Sequence, residues 1–123
     1  FYFGVIIWII GIVFEIVADE QKRRFRLDKN NKGLFICTGL WSVSRHPNYF
    51  GEIILWIGIA IISLPTLQGF QYITLISPVF IYFLLTRISG VNLLEDSADK
   101  KWGEKPEYIK YKKDTSILVP FLK

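Results

Sequence analysis

The chain has 123 residues, 51% of them hydrophobic and 16% aromatic, with a mean hydropathy of +0.33 and a formal net charge of +4. Soluble domains hold roughly 45–50% apolar residues even with glycine counted, so the apolar excess sets this chain apart from them. A single Cys excludes an internal disulfide framework, and one Cys with one His excludes the usual multi-ligand zinc sites.

Met is absent and Phe1 already stands inside an apolar run, so the sequence reads as part of a longer chain whose N-terminal helices precede it. The first stretch does not read as a secretory signal, because no basic region precedes it and no small-residue cleavage site follows. Three apolar segments come next: Phe1–Val17, about Tyr49–Leu64, and Phe70–Thr86. A bilayer core of ~30 Å takes about 20 helical residues, so the first and third segments reach its lower limit. The second spans roughly 24 Å at ~1.5 Å per residue and is marginal alone. Aromatic and β-branched residues cover every face of segments one and three, without the polar stripe a soluble helix keeps. The expected fold is therefore an all-α, polytopic membrane bundle of about three transmembrane helices over residues 1–123.

Charge sets the expected orientation. Residues 18–48 carry Lys22, Arg23, Arg24, Arg26, Lys29, Lys32 and Arg45, the connection Pro65–Gly69 carries no charge, and the tail after Thr86 is again rich in Lys. The positive-inside rule places the long loop and the C-terminal tail in the cytoplasm. Pro78 predicts a kink midway along segment three. A turn is expected at Gly103–Pro106, with a short helix around Glu107–Lys113.

Polar residues at the membrane boundary are the candidates for chemistry, since carboxylates there are costly. If the first helix continues past Val17, Glu15, Asp19, Lys22 and Arg26 share one stripe. Such a stripe could be a salt-bridged helix end, a headgroup anchor, or a cationic wall for a phosphorylated ligand. In the run Trp41 to Glu52, Pro47 fits the first turn of a helix, from which Asn48, Tyr49 and Glu52 would project beside an anion-attracting helix N-terminus. Gly51 allows close approach, and Glu52 has only Arg45 and His46 nearby in sequence as counter-groups. After segment three stand Arg87, Asn92 and Glu95, where Arg87 and Glu95 could share a side; the bland reading is a snorkelling Arg and a solvated tail.

The stretch Trp41–Glu52, read with Asp19–Arg26 and Arg87–Glu95, resembles the C-terminal domain of the steroid 5-alpha-reductase superfamily, in the branch termed domain of unknown function 1295. Sterol reductases carry a similar Arg-His-Pro-Asn-Tyr-x-Gly-Asp/Glu signature behind a Lys-x-x-Phe-Arg stretch, matched here by Lys22, Phe25 and Arg26. Trp102, Tyr108, Tyr111 and Ile117–Phe121 resemble the superfamily's C-terminal ending. The resemblance implies NADPH-dependent reduction of a carbon–carbon double bond in a steroid- or lipid-like substrate. It places Asp19, Lys22, Arg23, Arg26, Trp41, Arg45, His46, Asn48, Tyr49, Glu52, Arg87 and Glu95 about the cofactor, with Arg87 toward its adenosine phosphates. Tyr49 and Glu52 are the candidate catalytic proton donors. Val91 and Glu15 depart from the steroid branch, which has His and Asn there, and Arg45 and His46 are absent from that branch.

Two alternatives stand beside it. Isoprenylcysteine carboxyl and phospholipid methyltransferases share a similar Arg-His-Pro-x-Tyr-x-Gly signature, bind S-adenosylmethionine, and carry an acidic pair where this chain has Glu95-Asp96. A non-enzymatic membrane subunit could keep the same fold. The Asn48–Glu52 pair and the basic stripe favour the reductase, the stripe because it suits a 2′-phosphate better than a sulfonium. No metal and no nucleic acid is expected; the partners are the lipid bilayer, a lipid-like substrate and other membrane proteins. The expected location is a multi-pass site in the endoplasmic reticulum of a eukaryote or the inner membrane of a bacterium.

Overall fold

The structure is a computed structural model that describes residues 2–66, 68–69, 75–88 and 90–121. Five α-helices follow in order: α1 (Tyr2–Leu27), α2 (Pro47–Ser63), α3 (Ser77–Phe83), α4 (Val91–Trp102) and α5 (Pro106–Asp114). Among the described residues there is no strand; the nearest thing is a single parallel bridge between Ser44 and Ser116. The all-helical expectation is met. Two helical stretches are long and apolar enough to cross a membrane, Tyr2–Leu27 and Ser77–Trp102, while α2 at 17 residues is shorter.

The pairing of α1 with α2 organises the molecule. Gly4, Gly11 and Ala18 recur every seven residues along α1, and Gly51 and Gly58 do so along α2. A seven-residue period keeps one seam facing a partner helix over several turns. Small residues on that seam let the backbones touch, which is how helices associate where lipid removes the hydrophobic drive. A Cβ added to Gly11 would lie 2.3 Å from the Leu55 nitrogen, and one on Gly58 would lie 2.5 Å from the Trp8 nitrogen. Gly4 meets Ile62 while Gly51 meets Glu15, so the two helices run antiparallel. Opposite the seam, Ile6, Ile9, Ile10, Val13 and Ile16 point outward and are exposed. Such a surface suits hydrocarbon better than water.

Among the described residues Pro78 occupies the first turn of α3, where its missing N–H costs no hydrogen bond. The expected beginning of the third apolar segment, residues 70–74, lies outside the described residues. α3 passes into a π-helical turn, Leu84–Ile88. Gly90 (φ +54) then precedes α4, and an added Cβ there would meet the Leu85 carbonyl oxygen at 2.8 Å. Downstream, the turn at Gly103 and the short helix α5 fall where the sequence puts them.

Candidate functional site

Antiparallel pairing brings the C-terminal half of α1 against the first turns of α2. Because both helices repeat every 3.6 residues, positions four apart meet in matched pairs. Gly51 lies against Glu15, which sets the neighbouring Glu52 carboxyl facing the Glu15 carboxyl. One turn along, Asn48 Nδ2 donates to Asp19 Oδ1 at 3.1 Å. Glu52 also accepts from Trp56 Nε1 at 3.0 Å. Of its expected counter-groups, Arg45 pairs with another carboxylate instead and His46 stands beside it.

That carboxylate is Glu95 of α4. Arg45 Nη1 donates to Glu95 Oε1 at 2.5 Å, with both side chains about 15% exposed. His46 Nε2 stands 3.8 Å from the same oxygen, beyond hydrogen-bonding reach. Arg87 and Glu95 do not act together. The break at Gly90 shifts the register between them, so Glu95 turns inward while Arg87 is exposed, its carbonyl accepting from Asn92.

The segment between α1 and α2 is held by polar ends of ring side chains. Trp41 Nε1 donates to the Ala18 carbonyl, Tyr111 Oη to the Trp41 carbonyl, and Trp102 Nε1 to the Gly33 carbonyl. Ala18, Ile36 and Trp41 form a small buried core, flanked by Phe25 and Leu40. The C-terminal tail then fastens the residues just before α2. Arg45 N donates to the Ser116 carbonyl, Ser116 Oγ to the Val43 carbonyl, and Ser44 Oγ to the Leu118 carbonyl. Sequence reasoning marked Ile117–Phe121 as an ending but missed this clasp, which no local pattern announces.

Among the described residues, two cavities adjoin these elements. One, of about 380 Å³, is lined by Asp19, Lys22, Arg23, Arg26, Leu27 and Asn48. The other, of about 220 Å³, lies among the segment 34–41, α4 and α5, and takes Trp41, Arg45, His46 and Glu95 into its wall. Lys22 and Arg26 line both, and Lys22 Nζ sits 5.0 Å above the Trp41 ring. Tyr49 stacks on His46 with ring centroids 5.8 Å apart. Tyr49, Glu52 and Arg87 line neither cavity. Arg23 is bidentate with Glu20, which occupies part of its capacity. Burial and the nearby Glu95 and Asp99 charges push the Tyr108 phenol up to about 12, and burial likewise raises Tyr111, so both rings stay neutral near pH 7. The donor set includes no group of three His, Cys, Asp or Glu side chains able to hold a metal among the described residues.

Comparison with known proteins decides the family. The model of the family described as "Protein of unknown function (DUF1295)" matches residues 1–115. The chain belongs to the DUF1295 family. Among curated proteins, this DUF1295 chain is 29% identical to rat 3-oxo-5-alpha-steroid 4-dehydrogenase 1 over 122 residues, 99% of this chain and 42% of the relative. It is 34% identical to steroid 5-alpha-reductase DET2 of Arabidopsis thaliana over 65 residues, covering 51% of this chain and 24% of that protein. These matches place the family in the steroid 5-alpha-reductase superfamily. A shorter match, 38% over 60 residues (49% of this chain, 21% of the relative), is to the probable O-methyltransferase ustE of Ustilaginoidea virens. The chain spans less than half the length of each of these relatives. No solved structure matches it.

Proposed function

We propose that this chain forms the dinucleotide-binding part of an NADPH-dependent membrane reductase that saturates a carbon–carbon double bond in a steroid- or lipid-like substrate. The single observation that carries the reading is the meeting of Asp19, Lys22, Arg23, Arg26 and Asn48, drawn from two helices, around one cavity at the polar end of the α1–α2 pair. Guanidinium and ammonium groups on one wall suit phosphate oxygens. Buried atoms without partners test the fit further: Asn48 Oδ1 and Arg45 Nε have no hydrogen bond within the protein. Buried polar atoms are rarely left so, and a polar ligand would complete both.

Bound NADPH would supply the hydride. The protein's share is to orient and to stabilise charge. Lys22 and Arg26, standing between the two cavities, would neutralise the 2′-phosphate, while Asp19 holds Asn48 in place by its 3.1 Å bond. Tyr49 and Glu52 lie on α2 beyond the cavity walls, and Trp56 fixes the Glu52 carboxyl. They are the groups from which a proton would reach a substrate entering from the apolar side. In this arrangement the loop 18–48 and the C-terminal tail face the cytoplasm.

Thermal unfolding of the detergent-solubilised protein should rise in midpoint with NADPH and less with NADH. Arg26→Ala should weaken NADPH by about tenfold or more, the scale of one lost charge-assisted contact, and leave NADH little changed. Equal losses for both cofactors would remove Arg26 from the 2′-phosphate. The ustE match supports a second reading, an S-adenosylmethionine-dependent methyltransferase, and stabilisation by that cofactor alone would decide for it.

A further inference from the structure

We infer that Glu15, which the reading above does not use, shares one proton with Glu52 and is the positioning residue that keeps Glu52 able to protonate the double bond. The geometry begins at the helix seam. A Cβ on Gly51 would lie 2.6 Å from the Glu15 nitrogen, so the two backbones touch there. That contact sets the Glu15 carboxyl in a hydrogen bond with the carboxyl of Glu52, the next residue on α2. An ionised carboxylate only accepts hydrogen bonds, so a bond between two such groups requires a proton on one of them. Trp56 Nε1 already donates to Glu52 Oε1 at 3.0 Å, which favours Glu52 as the ionised member. Glu15 therefore holds the proton at rest and donates along the shared bond, across which the proton can pass to Glu52.

The surroundings keep that proton in place. A carboxylate is costly at a membrane boundary, and two negative charges in hydrogen-bonding contact would repel there. Asp19 adds a third negative group one turn along α1, and it also acts on Tyr49, the other titratable residue in the opening turns of α2. Among the described residues neither Glu15 nor Glu52 has an ion pair to offset this. Phe14 and Phe50, the residues just before Glu15 and Gly51, meet edge to face at 5.2 Å and border the contact with ring carbon. In the reduction, one carbon of the double bond takes a hydride, with its electron pair, from the reductant of the reading above, which is thereby oxidised by two electrons. The π pair of the double bond then forms a C–H bond at the other carbon with the proton from Glu52. Glu15 and Glu52 are left as two carboxylates. They regain a proton from the side of Asp19, which is exposed and lines the larger cavity.

The inference rests on the reading above for the reaction, and its experiment separates the two. The first readout is the infrared spectrum of the full chain in a maltoside detergent, which has no carbonyl of its own. At about pH 8 carboxyls with ordinary values near 4 are all ionised, so a protonated-carboxyl band there marks a held proton. The wild type should show that band, shifted in deuterium oxide, and this measurement needs no variant to fold. Glu15→Gln should abolish it, because glutamine still donates to Glu52 but has no proton to give, while the unfolding midpoint and stabilisation by NADPH stay unchanged. The second readout is reduction of progesterone by NADPH. Glu15→Gln should slow it by about a hundredfold, within the range of one general acid, and flatten the wild type's fall in rate toward alkaline pH. Glu15→Asp keeps a carboxyl and should restore the band, part of the rate and the alkaline fall. No wild-type band, or a band that Glu15→Gln retains, overturns the inference and leaves the reductase reading intact. A band lost in Glu15→Gln at an unchanged rate overturns it too, since the held proton is then not the one transferred. A lost band with no reduction of progesterone by the wild type keeps the shared proton but sinks the donor role together with the steroid-reductase reading.

Discussion

At the scale of single residues, the Arg45–Glu95 pair decides how the segment before α2 meets α4. Both side chains are largely withdrawn from water, and Arg45 Nε has no partner. Removing one member of such a pair strands the other charge, which costs more than the pair itself contributes. Glu95→Ala should therefore destabilise the protein by about 3 kcal/mol, toward the lower end for buried pairs because some exposure remains. Arg45→Met combined with Glu95→Leu should recover most of that loss, since neither charge is then left alone. Urea unfolding, in one detergent, of the wild type, Arg45→Met, Glu95→Leu and the double variant gives the coupling directly. A loss below about 1 kcal/mol in the single variant would mean that the pair behaves as a solvated surface contact. The same argument explains why sequence reasoning attached Arg45 and His46 to Glu52. Those residues are near in the chain, but Glu52 points along α2 toward Trp56 and Glu15, and nothing local announces a partner 50 positions away.

At the scale of elements, the α1–α2 seam carries the fold and brings the site's two halves together. Gly11→Leu would drive a side chain into the Leu55 backbone, which cannot yield as a flexible side chain can. Overpacking of this kind costs about 1–3 kcal/mol, and here it should also separate Asp19 from Asn48. The expected outcome is a lower unfolding midpoint together with lost stabilisation by NADPH. Leucine at Ile10, which faces outward on the same helix, should change neither. How much could be read from the chain follows from how local each signal is. The extension of α1 past Val17, the start of α2 at Pro47 and the site of α5 are set by residues within a turn or two, and all three are legible. Pro78 is legible as a helix breaker but ambiguous between kink and start, because a proline ring fits both. The clasp of residues 116–121 on 43–45 depends on hydrogen bonds across more than 70 positions, and composition holds no trace of it.

At the scale of the whole molecule, charge and apolar length make one joint claim about topology. The polar end of the α1–α2 pair, both cavities and the Lys-rich tail lie together, and the proposed topology turns them all toward the cytoplasm. The sequence holds one Cys, Cys37, and its side chain is exposed within the segment between α1 and α2. It is therefore a built-in reporter of sidedness. A membrane-impermeant maleimide should leave Cys37 unlabelled in sealed, right-side-out vesicles or intact cells and should label it after inversion or permeabilisation. Replacing Ser63 at the far end of α2 by Cys, in a Cys37→Ser background, should give the reverse pattern if α2 crosses the bilayer. At 17 residues and ~1.5 Å each, α2 reaches only about 26 Å, so this second result is the demanding one. Labelling of both positions from the same side would make α2 an interfacial or re-entrant helix. The two cavities would then keep their address while the expected count of three spans fell to two.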